Sequence, residues 1–206
     1  MGSIVSLTLS GLDWVEHGFG TRDAISSQED MASLTQIHSA TVLPAVRIGR
    51  VGEGDGLVTS TPGVAVSVRT ADCFPVLLAD ARRRVVAAIH AGWRGTAARI
   101  VPAAIDLMKR EFETGAEDIY AAIGPGIGKC CYRVGEDVGR RFGLEGAGFV
   151  DLGQANREQL IEAGVPATHI DSLNLCTFCD SRFHSYRRDK DAAGRMISFI
   201  GIRPNG

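Results

Sequence analysis

Arg69-Thr70-Ala71-Asp72-Cys73-Phe74-Pro75-Val76-Leu77-Leu78 is followed, after a short turn, by Val85-Val86-Ala87-Ala88-Ile89-His90-Ala91-Gly92-Trp93-Arg94-Gly95. Each is a short apolar run rich in β-forming residues, and each delivers one metal-capable side chain, Cys73 or His90. The second run ends in a glycine-flanked loop that carries Arg94. Upstream, Thr35-Gln36-Ile37-His38-Ser39-Ala40-Thr41-Val42 reads as a strand over 35–43, with Gln36 and His38 on one face. One cysteine and two histidines on three segments make a candidate open zinc site. Their separations along the chain match no compact zinc-finger spacing, and the alternative is a buried thiol with two unrelated histidines.

With 206 residues, 45% of them hydrophobic, the chain is long enough for one large core, and the reading is a single domain over 1–206. The 22 basic and 24 acidic residues leave a net charge of −2, so global attraction to nucleic acid or an anionic membrane is weak and any anion recognition is local. Five cysteines (73, 130, 131, 176, 179), an odd number with two adjacent, suit a reducing compartment better than a disulfide framework. No apolar run reaches the roughly 18 residues of a membrane span, and the start lacks a signal peptide's basic flank and apolar core. The expectation is a cytoplasmic protein with neither a membrane nor a nucleic-acid partner. Met1-Gly2-Ser3-Ile4-Val5-Ser6 fits the loose myristoylation pattern by chance, without a polybasic second signal.

Alternation predicts strands at 4–10, 14–19, 57–59, 64–70, 118–123, 130–134, 170–175 and 196–202, besides the runs quoted above. Residues 23–33 read as a loop or one helical turn. Helices are predicted at 136–142, at 152–163, and from an apolar stripe through Ile100, Ala104, Leu107 and Phe112. Pro102 leaves two starts open for that third helix: Val101 with Pro102 in the first turn, or Thr96 with a kink. Strands outnumber helices about two to one and few are separated by a full helix, so a purely parallel doubly wound sheet is not expected. Gly124-Pro125-Gly126-Ile127-Gly128 fits neither the dinucleotide nor the Walker pattern and reads as a turn lining a pocket. Cys176-Thr177-Phe178-Cys179 has the spacing of half a zinc ribbon, but its one available partner pair, Cys130 and Cys131, is expected to fit a tetrahedron poorly.

The motifs Gln36-Ile37-His38, Ala71-Asp72-Cys73-Phe74-Pro75-Val76, His90 to Gly95, Gly124 to Ile127, and Phe183-His184-Ser185-Tyr186-Arg187-Arg188-Asp189 with Gly194-Arg195-Met196 resemble the laccase-domain, or multicopper polyphenol oxidase-like, family. They occur in that family's order and, with His17-Gly18-Phe19-Gly20-Thr21-Arg22, cover the chain from about residue 17 to 202. The resemblance implies an α+β fold, a four-layer α-β-β-α sandwich with mixed sheets. It implies a zinc held by His38, Cys73 and His90, with copper the less favoured metal. It also implies a purine nucleoside phosphorylase, acting with phosphate on adenosine, inosine or methylthioadenosine and deaminating adenosine as a side activity. One departure is visible: the family's long glycine-rich and helical segment before Gln-x-His is reduced here to residues 23–35.

On this reading Arg94, beside His90, holds phosphate in two-point contact, with Arg22, Gln36 and Arg187 as further phosphate or substrate contacts. Asp72 is the carboxylate nearest a developing sugar cation. Two rivals use the same residues. A polyphenol (laccase-type) oxidase would need copper ligands beyond the few histidines present. A cysteine hydrolase acting on amides would use Cys73 as nucleophile and His90 as base.

Overall fold

The computed structural model describes residues 3–24 and 28–204. The Met1-Gly2 start of the myristoylation pattern and part of the 23–33 segment lie outside the described residues. Two mixed sheets dominate. One is ordered Val15–Phe19 (β1), Met196–Ile202 (β13), Ala65–Thr70 (β6), Ala32–Thr35 (β2), Gly49–Glu53 (β4). The other runs Ile170–Ser172 (β12), Ile119–Ile123 (β9), Phe74–Asp80 (β7), Val85–Ala91 (β8), Gly56–Thr59 (β5), Val42–Pro44 (β3). A two-stranded ribbon, Arg133–Val134 (β10) with Gly148–Phe149 (β11), stands apart. Both large sheets mix parallel and antiparallel pairs, as expected from short connections between most strands and helical crossovers between few.

β7 and β8 are buried on both faces, and their alternation assigns each side chain to a layer. Leu77, Ala79, Val86 and Ala88 meet Val66, Val68 and Ile200 of the five-stranded sheet in one core. Val76, Leu78, Val85, Ala87 and Ile89 meet Ile100, Ile105, Met108 and Leu160 of the helices in the other. Each fully buried valine, leucine or isoleucine among them contributes about 1.5–3 kcal/mol, so this antiparallel pair, shared by both cores, is the fold's most heavily anchored element.

The helices are Leu7–Ser10 (α1), Trp93–Ala97 (α2), Ile100–Phe112 (α3), Glu136–Arg141 (α4), Leu152–Glu162 (α5) and Tyr186–Asp189 (α6). α3 and α5 cover the outer face of the six-stranded sheet. Over the outer face of the five-stranded sheet, next to β2 and β4, lies the 3₁₀ turn Gln28–Asp30, where the Gln28 amide donates to Ser67 Oγ at 3.1 Å. This sparse cover sits in the shortened segment noted in the sequence. α3 begins at Ile100 after Arg99 turns left-handed (φ 62°), so Pro102 falls in the first turn, where its missing N–H has no intrahelical partner to lose.

Three predicted strands come out differently. Residues 4–10 give one bridge, Ile4 to Phe19, and then α1, because Ser6 accepts the Leu9 N–H and nucleates a helical turn. The 35–43 run breaks after Thr35 into a loop that carries His38. In the 130–134 run, Cys131 and Tyr132 close a turn back onto the Gly128 carbonyl, and pairing starts at Arg133.

Candidate metal centre and its cleft

Antiparallel pairing of β7 with β8 sets Pro75 opposite His90 and Phe74 opposite Ala91. Cys73, at the head of β7, follows the alternation of Leu77 and Ala79, while His90 follows that of Val86 and Ala88. Both side chains therefore project toward the inter-sheet side at the open end of the pair. His38 arrives on the loop between β2 and β3 with φ 58°, a left-handed conformation that a strand could not hold.

Asp55 imposes that conformation. Its carboxylate, fully buried, accepts the backbone N–H groups of Ile37 (3.3 Å), His38 (3.0 Å) and Ser39 (2.5 Å), and the Ser39 hydroxyl (2.8 Å). The same carboxylate lies 2.8 Å from His90 Nδ1. Gln36 ties the other side of the loop to β6, its amide donating to the Arg69 carbonyl (2.9 Å) and accepting the Arg69 N–H (2.8 Å). Ligand atoms of His38, Cys73 and His90 consequently all lie within 4.8 Å of one another, with the two imidazole rings edge to face at 4.9 Å. Gly92 belongs to this geometry: a Cβ there would come 2.9 Å from Cys73 Sγ and 3.5 Å from His38 Cδ2.

The electrostatics match the geometry. Burial disfavours a Cys73 thiolate, but hydrogen bonds from His38 and His90 outweigh it and bring the thiol down to about 6. Burial equally opposes charge on His90, yet Asp55 and Cys73 lift it to about 9. Asp55 is pulled to about 2 because, against its burial, His90 and Ser39 hydrogen-bond its ionised form. A soft thiolate and two imidazoles, one fixed through its far nitrogen by a buried carboxylate, form a donor set that suits zinc. Three donors leave one position of a tetrahedron open.

These side chains lie at the floor of a cleft of about 1020 Å³. Arg50, Arg69, Arg94, Arg187, Lys190 and Arg195 line it, against one carboxylate, Asp72. Arg94 stacks on Trp93, with Cζ 4.5 Å from the ring centroid, and its guanidinium is in no ion pair among the described residues. Arg187 donates to the Arg133 carbonyl (2.9 Å) and packs over Tyr132 (5.3 Å), whose phenol burial and the nearby Cys73 push up to about 12. Tyr132 thus stays a neutral donor at the cleft wall.

Of the residues singled out in the sequence, His38, Cys73, His90, Gln36, Asp72, Arg94 and Arg187 all line this cleft. Arg22 is not among the lining residues. Its guanidinium pairs with Asp189 (3.1 Å) and the Phe183 carbonyl (3.3 Å), bracing the loop behind the cleft. Asp72 has both carboxylate oxygens engaged, Oδ1 by Thr177 Oγ1 (2.7 Å) and Oδ2 by the Arg187 N–H (2.6 Å), with its own backbone left-handed at φ 84°. It holds the Arg187 segment against the cleft. Asp55, Tyr132, Arg50 and Lys190 escaped the sequence reading, and Arg69 and Arg195 stood in quoted motifs without being given a role. Asp55 stood in plain view beside Gly56, but an Asp-Gly pair signals a turn, and only tertiary structure reveals five donors converging on one carboxylate.

Cys130, Cys131, Cys176 and Cys179 also come together, with all four sulfurs within 4.8 Å of one another. The expected misfit of the adjacent pair presumed an extended strand, which sends neighbours to opposite faces. The turn at 128–132 instead turns both thiols to one side. The remaining histidines stand apart: His17 Nε2 accepts the Ser6 N–H at 3.0 Å, His169 stacks on Tyr120 at 4.1 Å, and the His184 ring abuts Gly194.

The family model described as multi-copper polyphenol oxidoreductase laccase matches residues 20–203. A purine nucleoside phosphorylase of Clostridium acetobutylicum is 40% identical over 183 residues, 84% of this chain and 77% of that protein. An adenosine deaminase, RL5, from an unknown prokaryotic organism is 39% identical over 163 residues, 72% of this chain and 61% of its own length. Among solved structures, YlmD from Geobacillus stearothermophilus superposes with a TM-score of 0.88 at 28% identity, covering 96% of this chain and 94% of that one. With nearly the whole chain matched and the fold shared, the chain belongs to the laccase-like multi-copper polyphenol oxidoreductase family.

Proposed function

We propose that this chain is a zinc-dependent purine nucleoside phosphorylase that also deaminates adenosine. The observation that carries the reading is the charge of the cleft: among the described residues six arginines and lysines and a single carboxylate line its walls, in a protein whose net charge is −2. Such a surface concentrates a small oxyanion. The names of the Clostridium relative and of RL5 support the two activities. His38, Cys73 and His90 would hold the metal, which when bound supplies Lewis acidity and lowers the pKa of bound water.

The chain's own residues perform the rest. Arg94 presents a planar fork to phosphate, packed over Trp93 so that little freedom is lost on binding. A hydrogen phosphate oxygen forms a bond to the ribose C1′ as the C1′–N9 bond breaks, and the proton that the phosphate carried ends on the departing purine. Positive charge builds on the sugar along the way, and Asp72 is the carboxylate among the residues lining the cleft. Its two oxygens are already occupied, so its contribution is to keep the Arg187 segment in register. Gln36 and Asp55 fix the loop that carries His38.

A cysteine hydrolase remains the second reading because Asp55, His90 and Cys73 also form an acid-base-nucleophile line. Copper oxidation finds less support. Two of the five histidines are already in the site, and His17, His169 and His184 share no cluster with one another. The test is phosphate-dependent release of free base from adenosine, inosine and methylthioadenosine, with ammonia measured alongside. Base release that requires phosphate and stops on chelation is expected. Turnover of amides that survives chelation, with no base released, would overturn the proposal.

A further inference from the structure

Cys130 and Cys131 sit in the turn after β9, and Cys176 and Cys179 in the turn after β12, held side by side by the bridge between Gly126 and Cys176. Cys131 Sγ and Cys130 Sγ lie 3.3 and 3.8 Å from Cys179 Sγ. Around a tetrahedral ion with Zn–S bonds near 2.3 Å, sulfurs are separated by about 3.8 Å. The Gly128 N–H points at Cys176 Sγ from 3.2 Å, the contact by which backbone amides steady a ligating thiolate. Cys130 and Cys179 are exposed and the other two half-buried, so the group does not serve as apolar filling. Among the described residues no carboxylate or histidine shares it.

We infer that these four cysteines bind a second zinc ion, structural in kind. Four thiolates fill the tetrahedron and leave no position for water or substrate, the opposite of the three-donor site in the cleft. The ion ties two distant turns together, and both support the cleft. Tyr132 of the cleft wall follows Cys131 directly. Thr177, between the other two ligands, donates to Asp72, and its carbonyl with that of Phe178 accepts from Arg188. Binding this ion therefore holds the Asp72 and Tyr132 side of the cleft in place.

The test is metal content resolved by variant. Wild-type protein purified without chelator should carry two zinc ions per chain by mass spectrometry of the metal. Cys176→Ser and Cys179→Ser should each lose one and keep the other, with a lower melting temperature, while Cys73→Ser should lose the complementary one. Should the Cys176 and Cys179 variants not fold, cobalt titration of folded Cys73→Ser protein gives the same answer, one equivalent with the visible spectrum of a tetrathiolate site. One zinc per wild-type chain that is unchanged in Cys176→Ser would overturn the inference. So would fewer than five titratable thiols in the denatured, unreduced wild-type chain, since disulfides would then occupy the place of the metal. Neither outcome depends on turnover, so the site stands or falls separately from the proposed activity.

Discussion

Asp55 Oδ1 lies 2.8 Å from His90 Nδ1, and the same buried carboxylate receives three successive backbone N–H groups of the loop that carries His38. One side chain thus orients a ligand on β8 and shapes the segment that brings a second ligand to it. Asp55→Asn replaces one acceptor oxygen by an N–H₂ group facing donors. The expected result is a 10–100-fold loss of zinc affinity at the cleft site, the scale on which orienting partners act. Stability should fall by about 2–4 kcal/mol in urea unfolding. Wild-type zinc affinity in a chelator competition would show that His90 needs no such partner.

Gly92→Ala separates the site from the fold. The Gly92 backbone, at φ −79°, accepts alanine without strain, but the new methyl would sit 2.9 Å from Cys73 Sγ. Cleft-site zinc affinity is expected to drop about tenfold or more while the melting temperature changes little. Full zinc occupancy under the same competition would mean that the cluster has more room than its contacts imply.

Arg94→Lys keeps the charge and removes the two-point fork. The Michaelis constant for phosphate should rise roughly tenfold, about 1.4 kcal/mol, and that for nucleoside should stay within about twofold. If the phosphate constant stays at the wild-type value, attention moves to Arg187, Arg69 and Arg195, which line the same cleft.

His17 offers a pH test away from the cleft. Its burial, more than any charge nearby, holds it below its ordinary value of 6.5, and its Nε2 accepts the Ser6 N–H only when unprotonated. The unfolded chain takes up this proton at higher pH than the folded chain, so unfolding is favoured as pH falls through about 6.5. Stability from this group is whole above that pH and is lost below it. Urea midpoints at pH 7.5 and 5.5 should differ less in His17→Gln than in wild type, because glutamine keeps an acceptor and does not titrate. Equal differences would place the pH dependence elsewhere.

Much of this was legible in the chain. Cys73 and His90 ride on continuous apolar runs, so the two strands were readable directly, while the register that puts both side chains on one face came from the pairing of β7 with β8. His38 was found by motif but placed on a strand, because Thr35 to Val42 alternates like one. What breaks the strand is Asp55, brought in from a distant segment by tertiary structure. The convergence of the four cysteines was missed for the same reason at smaller scale: adjacent cysteines diverge on a strand and converge in a turn, and that turn closes on the Gly128 carbonyl. The cationic cleft was invisible because Arg50, Arg69 and Arg195 lie on separate elements and the whole chain is nearly neutral.

The most direct test of the central claim uses His38→Ala, a substitution on an exposed loop that leaves both cores intact. Adenosine is supplied with phosphate, and free adenine and ammonia are measured on the same sample beside the zinc content. One site serving both reactions predicts that adenine release and ammonia release fall together, with the loss of one zinc per chain. Both activities persisting at wild-type rates in the His38→Ala protein would contradict it.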